Sequence, residues 1–170
     1  QSAEAAQARA ESINRFLLDL FEAEIPDLPP DEMPTTRQLV DQGIERARDP
    51  ASGPPELRAD LLLTLAGILL SRRQLDEADG LMTEARELVD IDAHPELAVR
   101  LAMLDVDRAR LRNRFDEMEA ALEHAIALLE EHEPGSLRLL EMQRDFGRLY
   151  MRREQLARAE VSVAEAHLAW

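Results

Sequence analysis

Three segments of the chain carry the same pattern of large and small side chains at intervals of 40 and 41 residues. The segments are SRRQLDEADGLMTEARELV (71–89), LRNRFDEMEAALEHAIALL (111–129) and MRREQLARAEVSVAEAHLA (151–169). Each has a large apolar residue followed ten positions later by alanine, as in Leu75 and Ala85. A repeat of this length is typical of helical hairpins that stack in series, because one hairpin alone cannot bury its apolar face. The repeat therefore limits the fold to few architectures.

Apolar residues recur at helical spacing along the chain and are separated by short polar breaks. Ala, Leu, Arg and Glu dominate the composition, aromatic residues make up only 4%, and no stretch alternates apolar and polar residues as a strand would. We therefore predict an all-α chain. The predicted helices of the repeating part span 56–72, 75–91, 96–112, 115–132, 136–153 and 156–168, with the last break at RREQ (152–155).

The N-terminal third is organised differently and divides at two proline-rich stretches. Within 1–24, apolar residues from Ile13 to Phe21 fall on one face of an amphipathic helix, and homodimerisation through this helix is a separate prediction. Residues 25–55 form a proline-rich linker that contains one more helix at 35–48, for which Thr35 and Thr36 offer N-caps. Residues 56–170 then form three helical hairpins.

Charge and composition exclude several classes of function. The net charge of −15 disfavours contact with phosphate backbones and anionic membranes, so no nucleic-acid partner is expected. All 20 basic residues are arginine, and the absence of cysteine excludes disulfides and thiolate metal sites. The longest apolar run, from Leu61 to Leu70, is about half the length that a membrane span needs.

Two groups of residues suggest chemistry but lack the surroundings that it requires. Asp145-Phe146-Gly147 has the letters of the kinase metal-binding triplet, yet the chain has no lysine and no glycine-rich loop to hold the phosphates. As a packing motif, Phe146 packs in the core, Gly147 permits a close helix approach and Asp145 faces outward. None of the four histidines lies in a Glu-x-x-His or His-Glu-x-x-His arrangement. We expect no catalytic residue, no cofactor and no metal.

In the first and third units the small and large residues match the tetratricopeptide pattern, and residues 56–170 resemble that family. The matching positions are Leu62, Leu65, Ala66, Leu69, Ala78, Met82 and Ala85, then Phe146, Gly147, Tyr150, Leu156, Ala159, Val163 and Ala166. The middle unit departs at Asp105, Val106 and Met118. The resemblance implies a superhelical stack of antiparallel helix pairs. The long repeat and the connector DAHPELA (92–98) are similar to the kinesin-light-chain variety, which makes His94 a turn residue.

The tetratricopeptide resemblance also implies where a partner binds, because the first helix of each pair lines the concave face of such a stack. This face carries Asp60, Leu63, Gly67 and Leu70 in the first unit and includes Glu141 in the third. The candidate peptide-binding residues are Arg100, Met103, Asp107, Arg110, Arg144, Arg148, Met151 and Arg152. Guanidinium forks suit carboxylates, so we expect an acidic peptide or a C-terminal carboxylate as the ligand. The alternative is that these arginines pair with neighbouring acids.

A second resemblance covers the beginning of the chain. ARAESINRFLLDLFEA (8–23) and MPTTRQLVDQGIERAR (33–48) are similar to the juxtamembrane region of bacterial transmembrane Ser/Thr protein kinases. The resemblance implies a kinase domain upstream of Gln1, across a membrane, and a non-catalytic, extracytoplasmic (periplasmic) protein–protein interaction region here. The alternatives are the helical-repeat sensor of a transcriptional regulator, with a cytoplasmic location, and a helical enzyme with a closed pocket.

Overall fold

The structure, a computed structural model, describes residues 35–168, with side chains for residue 35 and residues 37–155. The described range contains six α-helices: α1 Thr36–Arg48, α2 Pro55–Ser71, α3 Leu75–Leu88, α4 Pro95–Arg112, α5 Phe115–His132 and α6 Leu137–Leu168. Short 3-10 turns lie at Pro50–Ser52 and Ile91–Ala93. No strand occurs within residues 35–168, and the all-α prediction is confirmed. The helix predicted within 1–24, and the homodimer expected from it, lie outside the described residues.

Helix α1 begins at the N-cap that the sequence predicts. The Thr35 hydroxyl accepts a hydrogen bond from the Gln38 backbone N–H at 3.3 Å, and the Gln38 side chain accepts one from the Thr35 N–H at 2.7 Å. The helix ends at Asp49, whose carboxylate accepts from the Ala51 N–H at 2.9 Å and caps the following 3-10 turn. A side-chain capping box therefore sets the start of α1, whereas backbone hydrogen bonds from the Asp49 N–H to the Glu45 and Arg46 carbonyls close its end.

The described part of the chain divides into two compact units, one that ends at Ile91 and one that begins at Asp92. In the first unit α2 is the central element, because both α1 and α3 pack against it. Most of its circumference is apolar, as expected for a buried helix. Asp60 and Leu63 are 1% exposed and Leu70 is 2% exposed. The prediction that these three residues line a groove is therefore wrong, since side chains this deeply buried cannot face a ligand.

The α2–α3 and α4–α5 hairpins turn in the same way at equivalent positions of the repeat. Arg73 and Asn113 adopt the left-handed conformation, with φ of 62° and 56°. In the first turn the Gln74 N–H donates to the Leu69 carbonyl at 2.9 Å, and the second turn makes the corresponding bond at 3.2 Å. Two of the three predicted units thus share a backbone geometry as well as a side-chain pattern.

The third predicted hairpin is absent, because α6 continues without interruption from Leu137 to Leu168. The predicted break at 152–155 is therefore wrong. Arg, Glu and Gln are among the best helix formers, so a turn at those residues needs a tertiary reason. The turn at Arg73 has such a reason, since Ala78 and Met82 of the following helix are fully buried. Instead of a helix pair, the chain has one rod about 48 Å long.

The second unit consists of α4, α5 and α6 around a single core. Helix α5 lies in the middle and packs against both of the others. The core residues are Val99, Ala102, Val106, Leu122, Ala125, Leu129, Leu139, Met142 and Leu149. Val106 is fully buried and Met118 packs against this core. The middle unit therefore forms its hairpin in spite of its departures from the tetratricopeptide pattern.

The Asp145-Phe146-Gly147 motif packs only in part as the sequence predicts. Phe146 packs against the core and meets the Tyr150 ring edge to face, with centroids 5.1 Å apart. Gly147, in contrast, is exposed, and a Cβ built on it meets no atom within 4 Å. The predicted close approach at Gly147 is wrong, because this residue lies on the solvent side of α6. His94 is a turn residue, as predicted, and its carbonyl accepts from the Leu97 N–H at 2.9 Å.

Candidate functional site: an arginine-lined recess

An open recess on the second unit gathers four of the arginines that the sequence singles out. Its volume is about 470 Å³. The residues that line this arginine recess are Arg110, Met118, Arg144, Asp145, Arg148, Leu149 and Arg152. One comes from α4, one from α5 and the other five from α6. The recess therefore lies where the three helices of the unit meet.

Helix α6 presents three arginines in a row, one helical turn apart. Arg144, Arg148 and Arg152 follow the spacing i, i+4, i+8, so they lie on one face of the helix. The side chains of Arg144 and Arg148 are 57% and 65% exposed. Arg152 is exposed too, and within the described part of the chain it has no ion-pair partner. The stripe that the spacing predicts is present, and its guanidinium groups are accessible.

The side chain of Asp145 lies among the arginines of the recess. Its carboxylate accepts a hydrogen bond from Arg110 Nη2 at 2.6 Å, and Arg144 Nε and Arg148 Nη1 lie 3.6 and 3.7 Å from it. The side chain is only 17% exposed. The prediction that Asp145 faces outward is therefore wrong, because three guanidinium groups surround it and shield it from water.

Arg110 is held between two carboxylates. Besides the bond to Asp145, it donates from Nη1 to Asp107 at 3.2 Å. Partial desolvation raises the pKa of the Asp107 carboxyl, Arg110 lowers it, and the negative charge of Asp145 raises it further. Since the Asp107 side chain is 52% exposed, water screens much of this effect. Arg110 is thus the most constrained of the four arginines. The three on α6 make longer ion pairs or none within the described residues.

The arginine recess concentrates positive charge on an acidic chain. Its lining has four arginines against one aspartate, a formal charge of +3 that becomes +2 when Asp107, the second partner of Arg110, is counted, while the chain as a whole carries −15. Internal pairing with Asp145 therefore leaves a surplus of guanidinium groups. A surplus of this kind attracts carboxylates and other anions, and the planar forks favour bidentate contacts.

A smaller recess on the first unit provides a contrast. It measures about 350 Å³, and its lining is Arg37, Asp41, Ile44, Glu45, Arg48, Glu77, Gly80, Leu81 and Glu84. Hydrogen bonds from Arg37 to Glu77 and from Arg48 to Glu84 connect α1 with α3 and raise the pKa of both guanidinium groups. Both arginines are satisfied and the acids outnumber them. These ion pairs hold α1 against α3, and the sequence pattern did not predict them.

Not every predicted peptide-binding residue lies in the arginine recess. Arg100 is half-buried and does not line it. Met103 packs against the core, and Met151 is 59% exposed but lies outside the lining. Sequence reasoning missed Met118 and Leu149, which supply the apolar part of the lining. Their role depends on how three helices meet, and a one-dimensional pattern does not contain that information.

Within the described residues, no three His, Asp or Glu side chains are grouped as a metal site would require. The same part of the chain contains no helix with the length and apolar character of a membrane span. Comparison with known proteins gives no relative: no family model, curated protein or solved structure matches this chain. Any assignment of function therefore depends on the geometry and charge of the recess.

Proposed function

We propose that this chain is a non-catalytic protein–protein interaction module whose arginine recess binds an acidic peptide or a C-terminal carboxylate. The observation that carries the proposal is the surplus of four arginines over one aspartate in an open recess. An open site lets a peptide enter along its length, whereas a catalytic pocket excludes water and holds opposed polar groups. The recess has the accessibility and the charge that a peptide carboxylate needs.

The expected affinity is modest. Exposed ion pairs contribute about 0.2–1 kcal/mol each because water and salt screen them, although bidentate geometry raises the value. The ligand also has to compete with Asp145 for the guanidinium groups of Arg144 and Arg148. Three or four such contacts supply at most about 4 kcal/mol, and with the apolar surface of Met118 and Leu149 they correspond to a dissociation constant in the millimolar to high-micromolar range.

We also propose a type of repeat and a parent protein for this chain. The repeated turn at Arg73 and Asn113 supports a tetratricopeptide-type repeat for the first two hairpins. The similarity of 8–23 and 33–48 to juxtamembrane regions supports a place in the extracytoplasmic part of a bacterial receptor Ser/Thr kinase. In such a receptor, a peptide bound here would report an outside signal to the kinase.

Fluorescence anisotropy with labelled peptides tests the proposal. The probes are an aspartate- and glutamate-rich peptide with a free C-terminus, the same peptide amidated, and a lysine-rich peptide as the negative control. Arg148→Glu reverses one exposed charge of the recess and should weaken binding of the acidic probe about tenfold or more. Arg46→Glu, on α1, makes the same charge change outside the recess and should have little effect. Equal affinity of Arg148→Glu and the unmodified chain would overturn the proposal.

A further inference from the structure

The outward face of α6 carries apolar side chains that no described helix covers. Leu137, Leu140 and Met151 are 70%, 58% and 59% exposed. Soluble chains seldom leave several large apolar residues aligned on one helix face unless another molecule covers them. The core residues Leu139, Met142 and Leu149 lie on the opposite face and pack toward α5.

These exposed residues follow the spacing of a helix–helix seam. Leu137, Leu140, Arg144, Gly147 and Met151 are separated alternately by three and four positions, which places them along one line of the helix. We call this line the outer seam. It extends over about four turns, or roughly 21 Å. A partner that covers it needs a helix of at least about 15 residues.

Two positions of the outer seam determine which side chains a partner helix needs. Arg144 places a positive charge in the middle of the seam, next to Arg148 of the arginine recess. Gly147 leaves bare backbone where a seam residue would usually project, since a Cβ built there meets no atom within 4 Å. A partner helix therefore needs a carboxylate opposite Arg144 and a large apolar side chain above Gly147.

The charges favour a partner protein over a second copy of this chain. Two copies paired in parallel would place Arg144 against Arg144, and either orientation would bring two arginine-bearing faces together. Glu141 is half-buried on the same side of α6, and its single negative charge cannot neutralise the three arginines. An acidic helix meets no such repulsion, because its carboxylates pair with Arg144 and Arg148.

We infer that the outer seam and the arginine recess together dock an amphipathic acidic helix of a partner protein. Its apolar residues cover Leu137, Leu140 and Met151, its large side chain fills the space above Gly147, and its carboxylates contact Arg144 and Arg148. The inference rests on the proposed function and deepens it, since it specifies a helix where the recess alone requires only an acidic peptide.

The test uses two synthetic acidic peptides of about 18 residues with identical composition and net charge. In the first, leucines fall at seam spacing and glutamate faces Arg144; in the second, the leucines are scattered around the helix. We expect the first peptide to bind about tenfold more tightly. The double variant Leu140→Ser/Met151→Ser should abolish that preference without weakening the binding of the scattered peptide. Gly147→Leu should do the same by blocking close approach.

Gln143→Ser is the control, because Gln143 is also exposed on α6 but lies off the seam. Circular dichroism confirms that each variant keeps its helical content. If both peptides bind equally and Leu140→Ser/Met151→Ser changes nothing, the inference is overturned while the recess proposal stands. If neither peptide binds, both are overturned. If the chain self-associates and the double variant abolishes association, a second copy occupies the seam and the inference is wrong.

Discussion

Arg110 on α4 and Asp145 on α6 form an ion pair of 2.6 Å between two helices that are not hairpin partners. The two residues are separated by 35 positions along the chain, and both helices pack on α5. Asp145 also stands close to Arg144 and Arg148, so a carboxylate of the protein already occupies the place that a ligand carboxylate would take. Asp145 therefore limits mutual repulsion among the arginines and would compete with the ligand that we propose.

Replacing Asp145 by Asn should affect stability and binding in opposite directions. The variant keeps the side-chain size but leaves the arginines without a counter-charge, so the free energy of unfolding should fall by about 1 kcal/mol. The acidic peptide should bind several-fold more tightly because its competitor is gone. Urea unfolding and anisotropy measure the two effects. Asp116→Asn, at a side chain that is 93% exposed, is the control; weaker peptide binding by Asp145→Asn would mean that Asp145 orients the arginines instead of competing.

Gly147→Ala should stabilise the chain by about 0.5–1 kcal/mol. Glycine in the middle of an exposed helix is entropically costly, and nothing lies within 4 Å of the added methyl group. Gly135→Ala is the opposite case, because its φ of 76° disfavours any side chain and the variant should be less stable. Thermal unfolding measures both. Destabilisation by Gly147→Ala would restore the earlier prediction of a close helix contact at this position.

Leu122→Ala should destabilise the second unit by about 2–5 kcal/mol. Leu122 is fully buried in the core between α4, α5 and α6, so truncation removes apolar contacts and leaves a cavity. Leu140→Ala removes the same atoms from a side chain that is 58% exposed and should change stability by less than about 0.5 kcal/mol. Denaturant titration of both variants checks which face of each helix is buried. A similar fall in the free energy of unfolding for both variants would contradict that assignment.

Tyr150 should titrate above the usual pKa of a phenol. Its hydroxyl donates to the Glu119 carboxylate, and this hydrogen bond together with the nearby negative charge raises the pKa of Tyr150. Since the folded state favours the protonated phenol, its contribution to stability is lost as pH rises through the folded pKa. Tyr150 is the only tyrosine in the chain, so ultraviolet absorbance of the tyrosinate reports it alone. Glu119→Gln removes the negative charge and should lower the midpoint; an unchanged midpoint would mean that Glu119 does not act on the phenol.

Glu154→Pro distinguishes a continuous α6 from the hairpin that the sequence predicts. Proline inside a helix removes a hydrogen bond and clashes with the preceding turn, at a cost of about 3 kcal/mol, whereas a turn accommodates it. We expect lower helicity by circular dichroism and faster amide exchange around residues 150–158. Glu154→Ala should leave both unchanged. If the proline variant keeps its helicity and exchange protection, the chain turns at 152–155.

Sequence pattern predicted the local features of the fold and missed most of the relationships between helices. Helical spacing gave the first five described helices, because periodic apolar residues and N-caps such as Thr35 act within a few residues. The break at 152–155 was wrong, since the decision between turn and helix depends on what packs afterwards. The position of Asp145 was wrong for the same kind of reason, as its partner Arg110 lies far along the chain.

In the candidate site, too, the sequence predicted what depends on local spacing and missed what depends on packing between helices. The row formed by Arg144, Arg148 and Arg152 follows from i, i+4 spacing alone, and repeat alignment added Arg110. Burial of Asp60 and Leu63 could not be predicted, because it depends on tertiary packing around α2. The apolar lining by Met118 and Leu149 also depends on tertiary packing.

The charge contrast between the arginine recess and the rest of the chain has a kinetic consequence. The acidic partner that we propose would be repelled by a net charge of −15 while it is distant and attracted only when it reaches the recess. At 0.1 M salt the Debye length is about 10 Å, so moderate salt removes the distant repulsion before it weakens the short contacts. The association rate should then rise with salt before it falls, the reverse of electrostatically steered capture, while the lifetime of the complex shortens throughout. The ionic environment would thus control how often the partner arrives.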